Sequence, residues 1–325
     1  MSSGLSAGRV WVRLPNWLGD VVMALPLLRA LKADSPDTEL TLVGKSAFAP
    51  LVERLAVADR FVALPPKGAG YYRAFYRRRA QRPDRYLLLT RSLRGDLEAW
   101  LAGGQRRLGL VRPGDFRPLL TDAFKLPADT DLTAVHQTTL WERMARYFGV
   151  EAAFDYAPLH GTAPRSGARV GLICGSENSP EKRWPVASWR GLVERLLTAQ
   201  PGIDIALYGT PGDREITDRV CADLDSARVV NRAGETDLPA FCDALAGCAV
   251  VCCNDTGGMH LANVLGSPVV ALFGPTNPVR TGPAFAAPRT VLQPDGCPAT
   301  GGAPIENIGV DRCAAAVLAA LSAEG

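Results

Sequence analysis

Residues 252–283 read CCNDTGGMHLANVLGSPVVALFGPTNPVRTGP, and the order of runs and breaks in this stretch decides the fold. The apolar run entering it, Ala249 to Cys253, predicts a buried strand that Asn254 and Asp255 end. Thr256 to Leu265 has helical apolar spacing and stops at Gly266, a residue suited to the position just past a helix. A second strand, Val269 to Phe273, follows after three residues. Strand, tight turn, short helix and strand in this order belong to a parallel α/β sheet. Gly257 and Gly258 fall in the first helical turn, where each glycine costs about 1 kcal/mol relative to alanine. In return, backbone N–H groups stand uncovered at the positive end of the helix dipole, which is a seat for phosphate. Asp255 is expected to cap the helix through the N–H of Gly257 or Gly258. Thr256 can offer its hydroxyl to a phosphate oxygen, and His260 stands one turn further on. A capped helix that merely packs two glycines against a neighbouring strand satisfies Gly-Gly as well.

Working back towards the N-terminus, the same grammar covers the second half. Strands are expected at Val170–Cys174, Ile203–Tyr208 and Val229–Val230, with helices from near Pro185 to Leu197, over Ile216–Leu224 and over Leu238–Leu245. The loop after the first of these strands reads GSENSPEKRWP, residues 175–185, and carries Ser176 and Lys182. Lys182 is the only lysine in residues 164–325. It is either an ordinary surface lysine or a point charge for phosphate.

The first half repeats the pattern. Arg9–Leu14 alternates into a strand, residues 15–20 (PNWLGD) make the turn, and Val21–Ala33 is an apolar-faced helix with Pro26 near its start or at a kink. Strands follow at Glu39–Val43, Phe61–Leu64, Tyr86–Thr90 and Leu108–Leu110, and a long helix at Thr133–Phe148. Residues 71–85, YYRAFYRRRAQRPDR, are dense in arginine and tyrosine. That run suits a nucleic acid, an anionic glycolipid surface, or solvent alone.

A chain of 325 residues exceeds one ordinary core, so two domains are expected, 1–163 and 164–325, joined by the proline-containing segment Glu151–Arg169. The first holds 23 Lys and Arg against 16 Asp and Glu, a net of +7; the second holds 13 against 17, a net of −4. The basic half calls for an anionic partner. No apolar run reaches the length of a membrane span, and residues 1–10 lack the apolar middle of a signal peptide, so a cytoplasmic protein is expected. All eight cysteines lie in the second half without a CxxC pair, which speaks against metal binding and disulfides. No GxGxxG follows the first strand, against a dehydrogenase. Cys174-Gly175-Ser176-Glu177-Asn178 lacks the second glycine of a nucleophile elbow, against a serine hydrolase.

Three segments taken together carry a family resemblance: PNWLGDVVMALPLLRAL (15–31), SPEKRWP (179–185) and NDTGGMHLANVLGSPVVALFGPTNP (254–278). Their identity and order resemble the ADP-heptose:lipopolysaccharide heptosyltransferases, most of all the type that adds the second heptose. The resemblance implies the GT-B class, two Rossmann-like α/β/α domains facing each other across a cleft. It implies an acceptor-binding first domain, a nucleotide-sugar-binding second domain, and inversion at the anomeric carbon with no cofactor and no metal. By motif position Asp20 would be the catalytic base. Lys182, Asp255, Thr256, Gly257, Gly258 and His260 would bind the ADP-heptose donor, together with Ser176 and with Thr276 and Asn277 of the GPTNP loop. Asn16, Trp17, Arg77, Arg78 and Arg79 would bind the acceptor, an anionic lipopolysaccharide-core glycolipid. The protein would then sit peripherally at the cytoplasmic face of the inner membrane and bind no nucleic acid. A nucleotide-sugar epimerase or hydrolase on the same fold, and a non-enzymatic nucleotide- or nucleic-acid-binding protein, are the competing readings.

Overall fold

The structure, a computed structural model, describes residues 8–159, 169–176, 179–224 and 227–323. The chain divides into two compact units, Met1–Asp155 and Tyr156–Gly325. The expected boundary at 163/164 lies outside the described residues.

In the first unit, β1 (Arg9–Arg13) is followed by α1 (Leu18–Met23), α2 (Leu25–Asp34), β2 (Glu39–Gly44), α3 (Ala49–Leu55) and β3 (Arg60–Ala63). Then come α4 (Tyr71–Arg77), β4 (Arg85–Leu88), α5 (Leu93–Leu101), β5 (Arg106–Val111), β6 (Asp122–Lys125) and α6 (Gln137–Tyr147). The strands are parallel, in the order β3-β2-β1-β4-β5-β6. The strand order reverses between β1 and β4: β2 and β3 are added on one side of β1, and β4 to β6 on the other. At such a switch point the loops leaving the two strands diverge and open a crevice over the carboxyl ends, where α/β sheets bind ligands.

The second unit repeats this plan with β7 (Arg169–Ile173), α7 (Val186–Ala199), β8 (Asp204–Tyr208), α8 (Arg214–Cys221), β9 (Val229–Asn231) and α9 (Leu238–Ala246). It continues with β10 (Val250–Asn254), α10 (Gly257–Val264), β11 (Val269–Leu272), α11 (Pro278–Thr281), β12 (Arg289–Leu292) and α12 (Val310–Ser322). Its order, β12-β11-β10-β7-β8-β9, is that of the first sheet read from the other edge, so its switch point lies between β7 and β10.

Several elements differ from expectation for identifiable reasons. The single helix expected over Val21–Ala33 is two helices, because Pro26 opens α2 in its first turn, where its missing N–H costs nothing. The helix expected from Thr133 starts at Gln137, where the His136 ring accepts from the Thr138 N–H at 3.2 Å. Helices α3, α5 and α12 and strands β6 and β12 go beyond the expected elements. In α5 the reason is visible: Asp96 and Glu98 occupy fully buried positions. The second core is apolar and holds a perpendicular Trp184–Trp189 pair with ring centroids 5.1 Å apart. All eight cysteines are free, and burial pushes the Cys221 and Cys248 thiols up to about 11.

Candidate functional site

Both switch points carry the residues singled out from sequence. In the second unit, α10 begins two residues after β10. Thr256 is extended (φ −145°, ψ 164°), and its hydroxyl accepts from the Gly258 N–H at 3.3 Å. The cap is therefore Thr256 and not Asp255. Asp255 sits one position too early, and its carboxylate accepts from the Lys182 ammonium at 2.8 Å. This pair ties the loop after β7 to the loop after β10, with Lys182 24% and Asp255 8% exposed. Gly257 and Gly258 are the first two residues of the helix, as expected. Gly258 also serves packing: a Cβ there would stand 2.6 Å from the Ile173 side chain. His260 is buried in the same helix.

Asn254, read from sequence only as a strand breaker, is the residue that joins the two loops. It is fully buried, donates to the Cys174 carbonyl at 2.8 Å and accepts from the Trp184 N–H at 3.2 Å. Arg183 fixes the same loop by donating twice to the carbonyl of the buried Ser176, at 2.7 and 3.1 Å. In the GPTNP loop, Asn277 caps α11 by accepting from the Val279 N–H at 2.9 Å. The Thr276 hydroxyl oxygen is buried with no hydrogen-bond partner among the described residues. Gly301, at φ +79°, lets its segment lie directly on the Thr276 carbonyl. The Gly302 and Ala303 N–H groups then bond the Gly274 carbonyl at 3.0 and 3.2 Å. The Gly301-Gly302 pair was the sequence signal for this support.

At the switch point of the first unit, Asp20 is half-buried in the first turn of α1. The N-cap position is held by Trp17, without a side-chain bond, and Asp20 stands three residues further on. Trp17 is half exposed, and the Lys45 ammonium lies 5.1 Å from its ring centroid, a cation that the sequence did not single out. The Asn16 side chain is exposed, and its amide oxygen accepts from Arg13 at 3.2 Å.

The arginines of residues 71–85 separate into groups. Arg77 and Arg78 line an open cleft of about 420 Å³ with Gly70, Arg73 and Ala74. Arg79 does not, because α4 ends at Arg77 and a tighter 3₁₀ turn follows; its stem packs against Gly103. One terminal nitrogen of Arg78 is buried with no hydrogen-bond acceptor among the described residues. Tyr72 and Tyr76 are exposed on the same helix. Among the described residues no helix is long and apolar enough to cross a membrane, and no group of three His, Cys, Asp or Glu side chains is placed to hold a metal.

Residues 113–300, more than half of the chain, match glycosyltransferase family 9 (heptosyltransferase). The chain is 28% identical over 306 residues to lipopolysaccharide heptosyltransferase 2 of Escherichia coli, covering 85% of this chain and 86% of that protein. It is 26% identical over 306 residues to lipooligosaccharide heptosyltransferase 2 of Haemophilus influenzae, with 83% and 84% covered. Among solved structures, the E. coli ADP-heptose lipopolysaccharide heptosyltransferase II superposes with a TM-score of 0.84 at 26% identity, over 97% of this chain and 99% of that one.

Proposed function

Because the chain belongs to glycosyltransferase family 9, the heptosyltransferases, we propose that it moves heptose from ADP-heptose onto the inner core of lipopolysaccharide. The observation that carries the reading is the switch point of the second unit. There a lysine, a threonine hydroxyl and a glycine-started helix stand together on two loops. The bond from the anomeric carbon to the diphosphate breaks with its electron pair going to ADP. The growing negative charge meets Lys182 and the positive end of α10. Ser176, Asp255, Gly257, Gly258 and His260 shape this donor seat, and Thr276 and Asn277 lie towards the sugar. The reading calls on no metal and no cofactor.

The first unit takes the acceptor. Its attacking hydroxyl bonds to the anomeric carbon on the face opposite the leaving group, which inverts the configuration, and its proton passes to the Asp20 carboxylate. Asn16 and Trp17 contact the sugar, and Arg77, Arg78 and Arg79 favour its anionic groups. The arginine surplus of residues 1–163 supports a peripheral position at the anionic cytoplasmic face of the inner membrane. Nucleic acid is not a partner in this reading.

The test is a donor panel of ADP-, GDP-, UDP- and CMP-sugars, followed by a product assay with ADP-heptose and a truncated inner-core acceptor. ADP-heptose binding and an acceptor heavier by one heptose are expected. Binding of only a UDP-sugar would remove the donor assignment. Turnover of ADP-heptose without acceptor would favour an epimerase or hydrolase.

A further inference from the structure

The Glu98 side chain is fully buried, and both of its oxygens are in use. One accepts from Arg13 Nε at 2.8 Å, the other from the Tyr71 hydroxyl at 2.5 Å. Arg13, the last residue of β1, spreads its fork over the turn that follows: Nη1 donates to the Leu14 carbonyl at 2.5 Å and Nη2 to the Asn16 amide oxygen at 3.2 Å. Tyr71 is the first residue of α4, the helix bearing Arg73 and Arg77. Burial and the neighbouring Glu98 carboxylate hold its phenol pKa well above the ordinary value, so the hydroxyl remains a donor. Tyr71 packs against an apolar cluster that includes Trp11, Phe75 and Tyr86.

Net stability is a poor explanation for such a network. A buried ion pair gains little over well-packed apolar side chains of similar volume, whereas its directional bonds fix where its partners stand. The partners here are two segments far apart in sequence: the turn leading to Asp20, and the start of the arginine-bearing helix.

We infer that Glu98 is a positioning residue that sets the turn 14–19 against α4 through Arg13 and Tyr71, holding the proposed base and the proposed anion-binding helix in one register. The inference rests on the acceptor assignment above. Without the network the acceptor's anionic group can still meet α4, but its hydroxyl no longer arrives in line with Asp20.

Tyr71→Phe removes one hydroxyl and keeps the ring contacts with Tyr72 and Phe75. Its expected result is an acceptor kcat/KM about tenfold lower, the loss of one hydrogen bond to a charged group. The dissociation constant for ADP should stay near wild type, while the melting temperature falls by a few degrees, because one buried Glu98 oxygen loses its donor. Glu98→Gln is the harsher probe because it strands the buried Arg13 charge; Tyr71→Phe decides the question whether or not that variant folds. A Tyr71→Phe enzyme with wild-type acceptor kcat/KM overturns the inference. So does one whose ADP affinity falls in parallel, since that is general loosening. Asp20→Asn, assayed alongside, separates the two layers. If Asp20→Asn turns over normally while Tyr71→Phe loses acceptor kcat/KM, the base assignment falls and the positioning role stands. If the reverse holds, only the positioning role falls.

Discussion

The two sheets share one strand order, and at each switch point an ion pair joins the end of the first strand, or the loop leaving it, to the segment after the fourth. In the first unit it is Arg13–Glu98, 4% and 0% exposed; in the second it is Lys182–Asp255, 24% and 8% exposed. The first is locked, with every Glu98 oxygen engaged inside the protein. The second can be taken apart, since Lys182 has solvent on one side and two more N–H donors to offer. On the proposed reading, the same topology yields a positioning device in one half and a charge available to a ligand in the other. Burial makes the difference.

The sharpest way to break this comparison is Asp20→Asn. Asp20 stands in the first turn of α1; asparagine keeps its shape and one acceptor oxygen while removing the charge, whose interaction with the helix dipole is worth about 0.3–1 kcal/mol. The expected outcome is a protein that melts near wild type, binds ADP normally and loses roughly a hundredfold or more in kcat. Near-normal kcat would leave the first switch point without a chemical role.

Lys182→Ala comes next. Loss of a charged hydrogen bond to the diphosphate should cost about 1.5–3 kcal/mol, roughly 10- to 150-fold in kcat/KM for the donor. Unchanged donor kinetics would make the open pair as structural as the buried one. Gln substitutions at Arg73, Arg77 and Arg78 should raise the acceptor KM by a smaller factor, about three- to tenfold, and leave ADP affinity alone, because the charge lost lies in the first unit. Equal loss of both affinities would mean that the fold had been disturbed.

The smallest effect expected is on acid stability. In the first unit, Asp122 is held low by its bond from Arg106. Burial pushes Asp59 and Asp115 up, but N–H donors and Lys32 or Arg91 more than reverse that. Glu142, raised by burial, works the other way. In the second unit only Glu235, bonded by Arg214, is lowered among the described residues. A lowered carboxylate contributes stability above its unfolded pKa of about 4 and loses it as pH falls through the folded value. Pulse hydrogen exchange between pH of about 5 and about 3 should therefore open the first unit before the second. The opposite order would reverse this part of the contrast.

Local signals were legible where the chain obeys local rules. The strands of both switch points, the start of α10 and the loop holding Lys182 could all be read from apolar runs, glycines and one isolated lysine. What failed depended on distant partners. Asp255 looked like a cap because Lys182, 73 residues away, cannot be seen in its neighbourhood. Helix α5 was hidden because buried Asp96 and Glu98 are polar, and their stabilising arginines come from Arg117 and Arg13. Arg73 lines the cleft because it stands four residues before Arg77 on α4, whereas Arg79 lies in the 3₁₀ turn that follows. Such a change in helical register leaves no mark in composition.

The Lys182–Asp255 pair has a consequence for selectivity among anions. Asp255 is tethered beside the lysine, so it acts as a built-in competitor whose local concentration never falls, millimolar or above on the order-of-magnitude scale of short tethers. A single free phosphate would share the lysine's charge with it through one attachment. A diphosphate that also reaches the start of α10 has two attachments, and once the second is made the first is regained faster than the carboxylate can return. In the proposed donor seat the parked carboxylate would then work as a threshold that favours a ligand long enough to bridge lysine and helix over a monophosphate.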